Sequence, residues 1–593
     1  MKKQIVLKKV QTDVYTFLME EVVRQVQKAV KAQYGQDIII QKELIEIPPL
    51  SEMGDCALPC FFLAKQLKQS PIEIAQKLES ACETSECIEQ VRALGSYLNI
   101  FFNPSTIAKI LFSSEPTSFV QKREKNEIIV IEYVSPNTNK PLHLGHTRNA
   151  VLGESLSNIF EAAGCRVIRT SLVNDRGIHI CKSMVAYEKK QSMMHTSQKK
   201  WETPKSTGIK EDHFVGEQYI LFSQMAEEDE DMQKSAQECL LKWEKGDPST
   251  RILWKKMNTW ALQGLNQTYK RLGVHFDKTY FESDFYTKGR DIVIEGIQKG
   301  LFKKDETGAV FADLSSYDLP NKILLRKDGT SLYITQDIYL AVQKTKDFHA
   351  SRCAYVIGSE QDLYMKQLFA VLDILGYSWA KNLHHVSYGM VCLPEGKMKS
   401  REGTKVDADV LLDTLEALAL KEVKHRDEKL SDKEAKNRAS RIALAALKFY
   451  LVEVGAKSDM MFLPEESISF NGRTGPYIQY TYARVRSILR KHGTKTKNKS
   501  VHSSYMWTEE KQLLFLLSQF SKTIQSSVLA YDPSGVVKYL YSLAKAVNEY
   551  YHAVTVLHAA PQARAARIVL LERVAGILKK GLTLLGIETL EKM

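Results

Sequence analysis

Residues 127–175 read EIIVIEYVSPNTNKPLHLGHTRNAVLGESLSNIFEAAGCRVIRTSLVND. The first eight of them, 127–134, form a nearly continuous apolar and β-branched run, which is typical of a buried parallel strand. After a turn, residues 143–164 have helical spacing and end at Gly164, a residue suited to a helix C-cap. Residues 165–175 resume a strand pattern. This order predicts a right-handed βαβ unit and a Rossmann-like α/β core with a doubly wound parallel sheet.

The rest of the chain divides by composition and periodicity. Short helical and strand patterns precede the core, a polar stretch joins them to it, and the periodicity is almost wholly helical from about residue 408 onward. The predicted units are an N-terminal α+β module (1–112), a linker (113–126), the Rossmann-like core (127–400) with an insertion around 188–300, a loop and helical stem region (401–470) and an all-α C-terminal domain (471–593).

The composition is that of an ordinary globular protein. The chain has 593 residues, of which 44% are hydrophobic and 26% charged, and this excludes fibrous and disordered classes. Its most apolar stretches, such as 441–456, contain charges and fall short of the ~18 residues of a membrane span. Nine cysteines are too few for a disulfide scaffold in a chain of this length, and an odd number of them cannot all pair. The first ten residues, MKKQIVLKKV, lack the apolar core of a signal peptide. We therefore expect a cytoplasmic protein with reduced thiols and no membrane partner.

The net charge of +12 is concentrated in the last fifth of the chain. Residues 471–593 contain 18 basic and 7 acidic side chains, together with nine tyrosines. A basic surface with interleaved aromatic rings suits RNA, whose phosphates attract cations and whose unpaired bases stack, better than duplex DNA. The alternative is a solvated basic face on a helical domain.

The turn after the first core strand carries the candidate chemistry. It lacks GxGxxG, and GxxxxGK followed by Ser or Thr occurs nowhere in the chain, so dinucleotide and P-loop sites lose their main support. Instead, Lys140 precedes a helix that opens with His143, Gly145 and His146. A helix N-terminus favours phosphate, the two histidines can donate to it, and glycine lets a flat ring such as adenine approach. Simple capping of the helix by the histidines is the alternative.

Two sequence motifs resemble the signatures of a known enzyme family. PLHLGH (141–146) resembles the HIGH motif of class I aminoacyl-tRNA synthetases, and GKMKSREGT (396–404) resembles their KMSK loop. Further segments, and with them essentially the whole chain, resemble the arginyl-tRNA synthetase family: IEYVSPNTNKPLHLGH (131–146), LVNDRGIHI (172–180), DGTSLYITQDIYLA (328–341), IGSEQDLYMKQLF (357–369), NGRTGPYIQYTYARVRSIL (471–489), LLERVAGILKKGLTLLGIETLEKM (570–593) and, in the N-terminal module, IPPLSEMGDCALPCFFLAKQL (47–67). The resemblance implies ATP-dependent ligation of L-arginine to tRNA(Arg) through arginyl-adenylate, with release of AMP and pyrophosphate.

The resemblance also implies an arginine site. Its residues would be Glu132, Ser135, Asn137, Tyr333, Asp337 and Gln361. Recognition of a planar, permanently charged guanidinium calls for carboxylates. Glu132 lies in an otherwise apolar strand, where an unpaired carboxylate is costly, so we expect the substrate cation between Glu132 and Asp337 to balance it. A structural ion pair with an internal Arg or Lys is the alternative.

Roles in the other two sites follow from the same resemblance. It implies catalytic roles for His143, His146, Lys140, Lys397 and Lys399; ATP contacts for His143, Gly145, His146, Met390, Lys397 and Met398; and tRNA contacts for Tyr477, Gln479, Tyr480, Arg484 and Arg486. If KMKSREG aligns with the KMSK motif without a gap, Ser400 stands where the motif has its second lysine, and Lys140 is then the residue that substitutes for that lysine. If the alignment is shifted by one residue, Lys399 is the second lysine of the motif. We expect Mg²⁺ to accompany ATP, no metal site in the chain itself, no DNA partner and a monomer.

Two alternatives remain open from the sequence. One is a class I synthetase for another amino acid, such as cysteine or glutamine; but the cysteine spacings offer no zinc site, and glutamine would give Glu132 and Asp337 no cation. The other is an inactive relative that binds tRNA, against which stands the presence of both His143 and His146.

Overall fold

The computed structural model describes residues 13–113, 127–194, 201–392, 394, 406–493 and 505–593. The strands are β1 Cys56–Pro59, β2 Ile88–Leu94, β3 Tyr97–Phe102, β4 Ile128–Glu132, β5 Arg166–Val173, β6 Lys278–Phe281, β7 Lys303–Lys304, β8 Val310–Ala312, β9 Lys322–Leu325, β10 Arg352–Gly358, β11 Leu383–Tyr388, β12 Val391–Cys392 and β13 Met460–Met461.

The helices up to the end of the core are α1 Val14–Tyr34, α2 Phe61–Leu67, α3 Pro71–Ala81, α4 Pro104–Ser113, α5 Leu144–Ala162, α6 Ile178–Met194, α7 Pro204–Thr207, α8 Glu211–Glu228, α9 Asp231–Glu244, α10 Pro248–Leu272, α11 Glu282–Phe285, α12 Gly289–Gln298, α13 Tyr333–Phe348 and α14 Asp362–Ile374. Those that follow are α15 Ala408–Arg426, α16 Asp432–Glu453, α17 Pro464–Ser467, α18 Gly475–His492, α19 Lys511–Ser518, α20 Phe520–Ala530, α21 Ser534–Ala553 and α22 Pro561–Leu584.

Five parallel strands form the central sheet, in the order β11–β10–β4–β5–β6. The helix α5 connects β4 to its neighbour β5, which confirms the predicted βαβ unit and the Rossmann-like class. Side chains of β4 point alternately into two cores: Ile129 and Ile131 face the core that contains α5, whereas Val130 faces the core that contains α13 and α14. Both faces of the sheet are therefore covered, as a doubly wound fold requires.

The central strand is shorter than its apolar run predicts. The run continues to residue 134, but β4 ends at Glu132. Val134 and Ser135 have positive φ angles of 74° and 33°, so the backbone leaves the sheet directly after Glu132. The prediction of a strand over 127–134 is wrong in its last two residues, because the backbone at the carboxyl edge of the sheet turns in spite of the apolar side chains. The turn places residues 135–139, four of which are polar, at that edge, where open α/β sheets bind ligands.

A helical excursion separates β5 from β6. It runs from α6 to α10, and these helices pack on one another around a core of their own. The sheet resumes at Lys278, inside the segment 188–300 that the sequence predicts to be an insertion. The four residues of β6 are too short a run to produce a strand signal of their own. A small antiparallel sheet, β7–β8–β9, precedes α13.

The N-terminal module and the C-terminal helices pack against each other. The module has a three-stranded antiparallel sheet, β1–β3–β2, on which α3 packs, and α1 packs on α3. Phe102 of β3 stacks on Phe515 of α19 with ring centroids 5.9 Å apart, and the Arg573 guanidinium of α22 donates to the Leu111 carbonyl at 3.0 Å. The helices α15, α16, α20 and α22 pack on α5. The helix at the centre of the candidate site is therefore buried on nearly every face.

Two further predictions can be compared with the structure. All nine cysteines are unpaired, as expected of reduced thiols. Within the described ranges, no helix is both long enough and apolar enough to cross a membrane.

Candidate active site

The site begins where the backbone turns after β4. Val134 and Ser135 hold left-handed conformations that cost of the order of 1–3 kcal/mol each for residues with side chains. Asn149 of α5 supports this turn, because its Oδ1 accepts a hydrogen bond from the Val134 amide at 2.7 Å. The Nδ2 of the same side chain donates to the Val356 carbonyl of β10 at 2.7 Å. One amide thus ties the strained turn to the neighbouring strand.

A second contact, between Tyr133 and α5, fixes the same turn. The Tyr133 ring lies against Gly153 of α5, where an added Cβ would come within 2.2 Å of the ring. The Tyr133 hydroxyl donates to the Glu154 carboxylate at 2.8 Å and lies 3.0 Å from the His275 carbonyl. Gly153 is therefore required by the close approach of the aromatic ring.

The two histidines of the signature cap the helix that they begin. His143 is the N-cap of α5, and its amide donates to Nδ1 of His146 at 3.2 Å. Because Nδ1 accepts, the proton of a neutral His146 lies on Nε2, the atom that can donate to a phosphate oxygen. The ring of His143 lies 3.8 Å from that of His146 and 3.1 Å from the position of a Cβ on Gly145. Capping and a donor role are therefore compatible for His146.

The start of α5 pairs with the chain that follows the second signature. The Leu144 amide donates to the Val406 carbonyl at 2.8 Å, and the Ala408 amide donates to the Leu142 carbonyl at 2.9 Å. Asp407 bridges to His143 in the same short antiparallel pairing. The predicted signature residues Lys397, Met398, Lys399 and Ser400 lie outside the described residues. The pairing nevertheless brings the end of their loop to the histidines.

A buried arginine links α5 to the chain on the other side of that loop. Arg148 is 0% exposed, and its guanidinium donates to backbone carbonyls of two segments. It lies 2.6 Å from the Gly389 oxygen and 3.4 Å from that of Met390, and it reaches Ser458 at 2.9 Å and Ala456 at 3.2 Å. Met390, a predicted ATP contact, is exposed. The sequence analysis missed Arg148, although a charged residue within an apolar helix face was a usable signal.

Lys140 lies in the loop between the strained turn and α5. It is half-buried, and the helix α8 of the insertion packs against this loop. Gly216 of α8 makes the approach possible, because an added Cβ there would lie 2.9 Å from the Pro141 Cδ. His179 is close enough for the Lys140 charge to contribute to the lowering of its pKa, although burial and Lys182 contribute more. The insertion therefore forms one wall beside Lys140.

Glu132 is buried at the end of β4, but it already has a cation. Its carboxylate forms an ion pair with the ammonium of Lys344 on α13, which is 1% exposed. The Lys344 Nζ also lies 4.6 Å from the centroid of the Tyr355 ring. The expectation that a substrate cation must balance Glu132 is therefore wrong, and the alternative of an internal ion pair is the one found.

Asp337 is the second carboxylate of the predicted pair, and no lysine or arginine forms an ion pair with it among the described residues. The Tyr364 hydroxyl donates a hydrogen bond to it. Burial raises the pKa of Asp337 to about 6; the bond from Tyr364 acts in the opposite direction, Glu132 adds to the rise and Lys344 opposes it. The interaction with Glu132 means that the two carboxylates share one electrostatic environment.

The other predicted arginine contacts are at the edge of this environment. Tyr333, the first residue of α13, is 73% exposed, and Gln361 before α14 is exposed as well. Ser135 and Asn137 are half-buried in the turn after β4, and Asn137 bridges to Asn174 after β5. We call the cluster of Glu132, Lys344 and Asp337 the acidic slot, and these four neutral polar residues belong to the elements that supply it or to the turns beside them.

A third carboxylate near the slot was not predicted. Glu282 of α11 is buried and lies 3.5 Å from the Arg176 guanidinium. Burial raises its pKa to about 7; Arg176 opposes the rise, while Asp175 and Asp337 add to it. No sequence pattern indicated this residue, because it follows the four-residue strand β6.

The predicted tRNA contacts on α18 fall into two groups. Gln479 is 0% exposed, and its Nε2 donates to the Glu588 carbonyl at 2.7 Å, so the prediction that it contacts tRNA is wrong. Arg486 is half-buried and forms an ion pair with Glu591 at 3.0 Å. Burial of Gln479 follows from its position on the face of α18 that packs against α16 and α22.

Arg484 lines a cavity instead, and Tyr480 packs against the Arg484 guanidinium. The Arg484 guanidinium is 4.8 Å from the Tyr480 ring centroid and 4.9 Å from that of Tyr551, and it donates to Asn548 at 2.7 Å. Tyr477 accepts from Asn548 at 3.0 Å. The cavity has a volume of about 340 Å³, and its lining includes Arg484, Lys491, Tyr551, His552 and His558. Cations and aromatic rings around a space of this size suit an unstacked nucleobase.

Comparisons with known proteins agree with this arrangement along the whole chain. A family model described as the class I (R) tRNA synthetase catalytic domain matches residues 106–462, one described as the DALR anticodon binding domain matches 478–593, and one described as the arginyl tRNA synthetase N terminal domain matches 20–102. The arginine–tRNA ligase of Treponema denticola is 45% identical over 536 residues, covering 87% of this chain and 89% of its own length.

A second relative and a solved structure extend the likeness. The arginine–tRNA ligase of Bacteroides fragilis is 40% identical over 602 residues, covering 97% of this chain and 99% of its own. The solved arginyl-tRNA synthetase of Thermus thermophilus has the same fold, with a TM-score of 0.79 over 97% of this chain and all of its own, at 24% sequence identity.

Proposed function

The chain belongs to the arginyl-tRNA synthetase family, and from this premise we propose how its residues carry out the reaction. The reaction is the ATP-dependent ligation of L-arginine to tRNA(Arg), through arginyl-adenylate, with release of AMP and pyrophosphate. The observation that carries it is the pair of interacting carboxylates, Glu132 at the carboxyl end of β4 and Asp337 on α13, in the same domain as the helix that begins with the two histidines.

In the first step the arginine carboxylate attacks the α-phosphorus of ATP. A carboxylate needs no general base, so catalysis consists of positioning and of stabilising charge on the transferring phosphate. His143 and His146 at the N-terminus of α5, with Lys140 before it, donate to the phosphate oxygens. Lys140 takes the place of the signature lysine that Ser400 replaces, and Lys397 and Lys399 are assigned to the pyrophosphate by the family resemblance. Gly145 and Met390 contact the adenosine.

Mg²⁺ is proposed as the companion ion of ATP, where it would neutralise phosphate charge. Within the described ranges, one group of three potential ligands occurs, namely Asp212, His213 and Asp409. Lys210 and Arg271 already form ion pairs with this group, at 2.6 Å and 3.1 Å from Asp409. The group does not suit a resident cation, and no step is routed through it.

Arginine binds with its guanidinium in the slot. Asp337 accepts hydrogen bonds from the guanidinium. Of the two carboxylates in the slot, Glu132 is paired with Lys344, whereas Asp337 has no basic partner among the described residues. Glu132 contributes charge and a further acceptor next to Lys344, while Tyr333 and Gln361 close the rim. Ser135 and Asn137 hold the α-ammonium and carboxylate of the amino acid. In the second step, the 2′-OH of the terminal adenosine attacks the adenylate.

The C-terminal helices bind the anticodon loop of tRNA. The cavity beside Arg484 receives one unstacked base, with Tyr551 as the stacking surface, and Tyr477, Tyr480 and Arg486 contact the RNA from the same helix as Arg484. The N-terminal module, which packs on these helices, contacts the tRNA elbow. Its balanced charge suits contacts by shape and hydrogen bonds.

We assign each of these roles to one segment of the chain. They are 1–112 for the tRNA-contacting module, 113–126 for the linker, 127–400 for the catalytic domain, 401–470 for the signature loop and stem, and 471–593 for the anticodon-binding domain. The protein acts as a monomer in the cytoplasm, where its nine unpaired cysteines stay reduced.

Aminoacylation of bulk tRNA with each of the twenty amino acids tests the function. We expect arginine to be the one amino acid of the twenty that the protein attaches to tRNA. Charging with a different amino acid would identify a synthetase of another specificity, and tight tRNA binding without any charging would identify an inactive relative.

A further inference from the structure

We propose that Lys344 is a positioning residue of the arginine site, which neutralises Glu132 and leaves Asp337 to select a single positive charge. The inference rests on the proposed function of the slot. It concerns a residue that touches neither signature and that acts through Glu132 on the substrate.

The geometry that supports it is a fully buried ion pair in the floor of the slot. Lys344 and Glu132 have side chains that are 1% and 7% exposed, and their charged groups are in contact. Lys344 follows Asp337 by seven residues on α13, which is two helical turns, so both project from one face of the helix. Tyr355, which lies beside Glu132 in the sheet register, places its ring 4.6 Å from the ammonium. The ammonium therefore has a fixed position between the two strands and the helix.

The charge balance of the slot follows from this position. Glu132 and Asp337 supply two negative charges and Lys344 one positive charge, so the slot as a whole is complementary to one guanidinium. Removal of the lysine charge would leave two neighbouring carboxylates in a buried site, and such a pair holds a proton instead of ionising twice. That proton would compete with the substrate cation for the same oxygens.

The groups around Asp337 determine how its titration would change. Those that interact with Asp337 itself are Glu132 of β4, Lys344 on the same helix, Tyr364 of α14 and Glu282 of α11. Those that interact with Glu132 or with the Lys344 ammonium are Tyr280 of β6 and Cys353 and Tyr355 of β10. Among the described residues that affect the pKa of Asp337, Lys344 is the cation, and it lowers that pKa. Its loss therefore raises that pKa further. Arginine binding, which needs the ionised form, would then require a higher pH.

The test compares Lys344→Met with Lys344→Arg and with a control at a second buried lysine. Lys448 of α16 is also buried, and its Nζ donates to the Gly586 carbonyl at 2.6 Å, so Lys448→Met removes a buried ammonium away from the slot. The measurement is kcat/KM for arginine in aminoacylation from pH 5.5 to 8.5, with KM for ATP and a thermal unfolding curve for each variant.

We expect Lys344→Met to raise the KM for arginine about 30-fold or more and to move the pH midpoint of kcat/KM upward by about one unit. Lys344→Arg should stay within about fivefold of the parent protein at the parent midpoint. Lys448→Met should leave both the KM for arginine and the midpoint unchanged. A loss of activity or stability in Lys344→Met without a shift of the midpoint would overturn the inference, because a merely structural lysine would behave in that way.

The double variant Glu132→Gln with Lys344→Met keeps the test valid if the single variant does not fold. It removes both charges of the pair and leaves Asp337 as the one negative charge. Its pH midpoint should return to that of the parent protein, and a midpoint that stays high would contradict the charge-balance role. Charging of tRNA with arginine by the parent protein is measured alongside, so that failure of the proposed function is distinguishable from failure of this inference.

Discussion

Arg148 provides the sharpest test of how α5 holds the nucleotide site together. Its guanidinium is wholly buried and donates to the carbonyls of Gly389 at 2.6 Å and Ser458 at 2.9 Å, with two longer contacts to the same segments. Hydrogen bonds from a charged donor contribute about 1.5–3 kcal/mol each. The two shorter bonds therefore predict that Arg148→Met lowers the free energy of unfolding by about 3–6 kcal/mol, and that Arg148→Lys lowers it by roughly half as much.

The functional consequence should be larger for ATP than for arginine. Gly389 and Met390 precede the signature loop, so their displacement is expected to raise the KM for ATP about tenfold in Arg148→Lys, with a smaller effect on the KM for arginine. Urea unfolding and ATP–pyrophosphate exchange in the presence of tRNA measure the two effects. Arg573→Lys is the matched control, since that arginine is also buried and donates to the Leu111 carbonyl away from the site. Equal changes in the two KM values, or an unchanged KM for ATP, would refute the positioning role of Arg148.

Three further predictions test other parts of the site. Gly153→Ala places a Cβ against the Tyr133 ring and should destabilise the protein by about 1–3 kcal/mol in thermal unfolding while lowering kcat; a neutral effect would show that the turn after β4 does not depend on this contact. Lys140→Ala should slow single-turnover adenylate formation about 10²-fold or more, whereas a normal rate in this variant and a slow one in Lys399→Ala would assign the missing signature lysine to Lys399. Arg484→Ala should raise the KM for tRNA about tenfold and leave the KM for arginine and ATP unchanged, while Gln479→Ala should reduce stability and not tRNA affinity.

The fold could be predicted wherever it depends on local pattern. The βαβ unit over 127–175 follows from an apolar run, a helical period and a C-cap glycine, and all three are properties of neighbouring residues. The end of β4 could not be read in this way. Val134 is a good strand residue, but Asn149 and the packing of Tyr133 on α5 hold the backbone in another conformation.

The site shows the same division. The histidines and the carboxylates could be found from motifs, because each motif is contiguous in sequence. The partner of Glu132 could not, since Lys344 is 212 positions away and only the meeting of α13 with the central strand brings the two charges together. Gln479 illustrates the opposite error: a polar residue within a matching motif was assigned to the surface, whereas the packing of α18 buries it and gives its amide a backbone partner.

The central claim is that Asp337 in the acidic slot selects the positive charge of arginine. Citrulline tests it most directly, because it replaces the guanidinium by a neutral group of nearly the same shape. The measurement is kcat/KM for arginine and for citrulline in tRNA charging, with the parent protein and with Asp337→Asn. The parent protein should prefer arginine by at least ~10³-fold, and Asp337→Asn should reduce this preference to roughly tenfold or less. An undiminished preference for arginine in Asp337→Asn would contradict the claim.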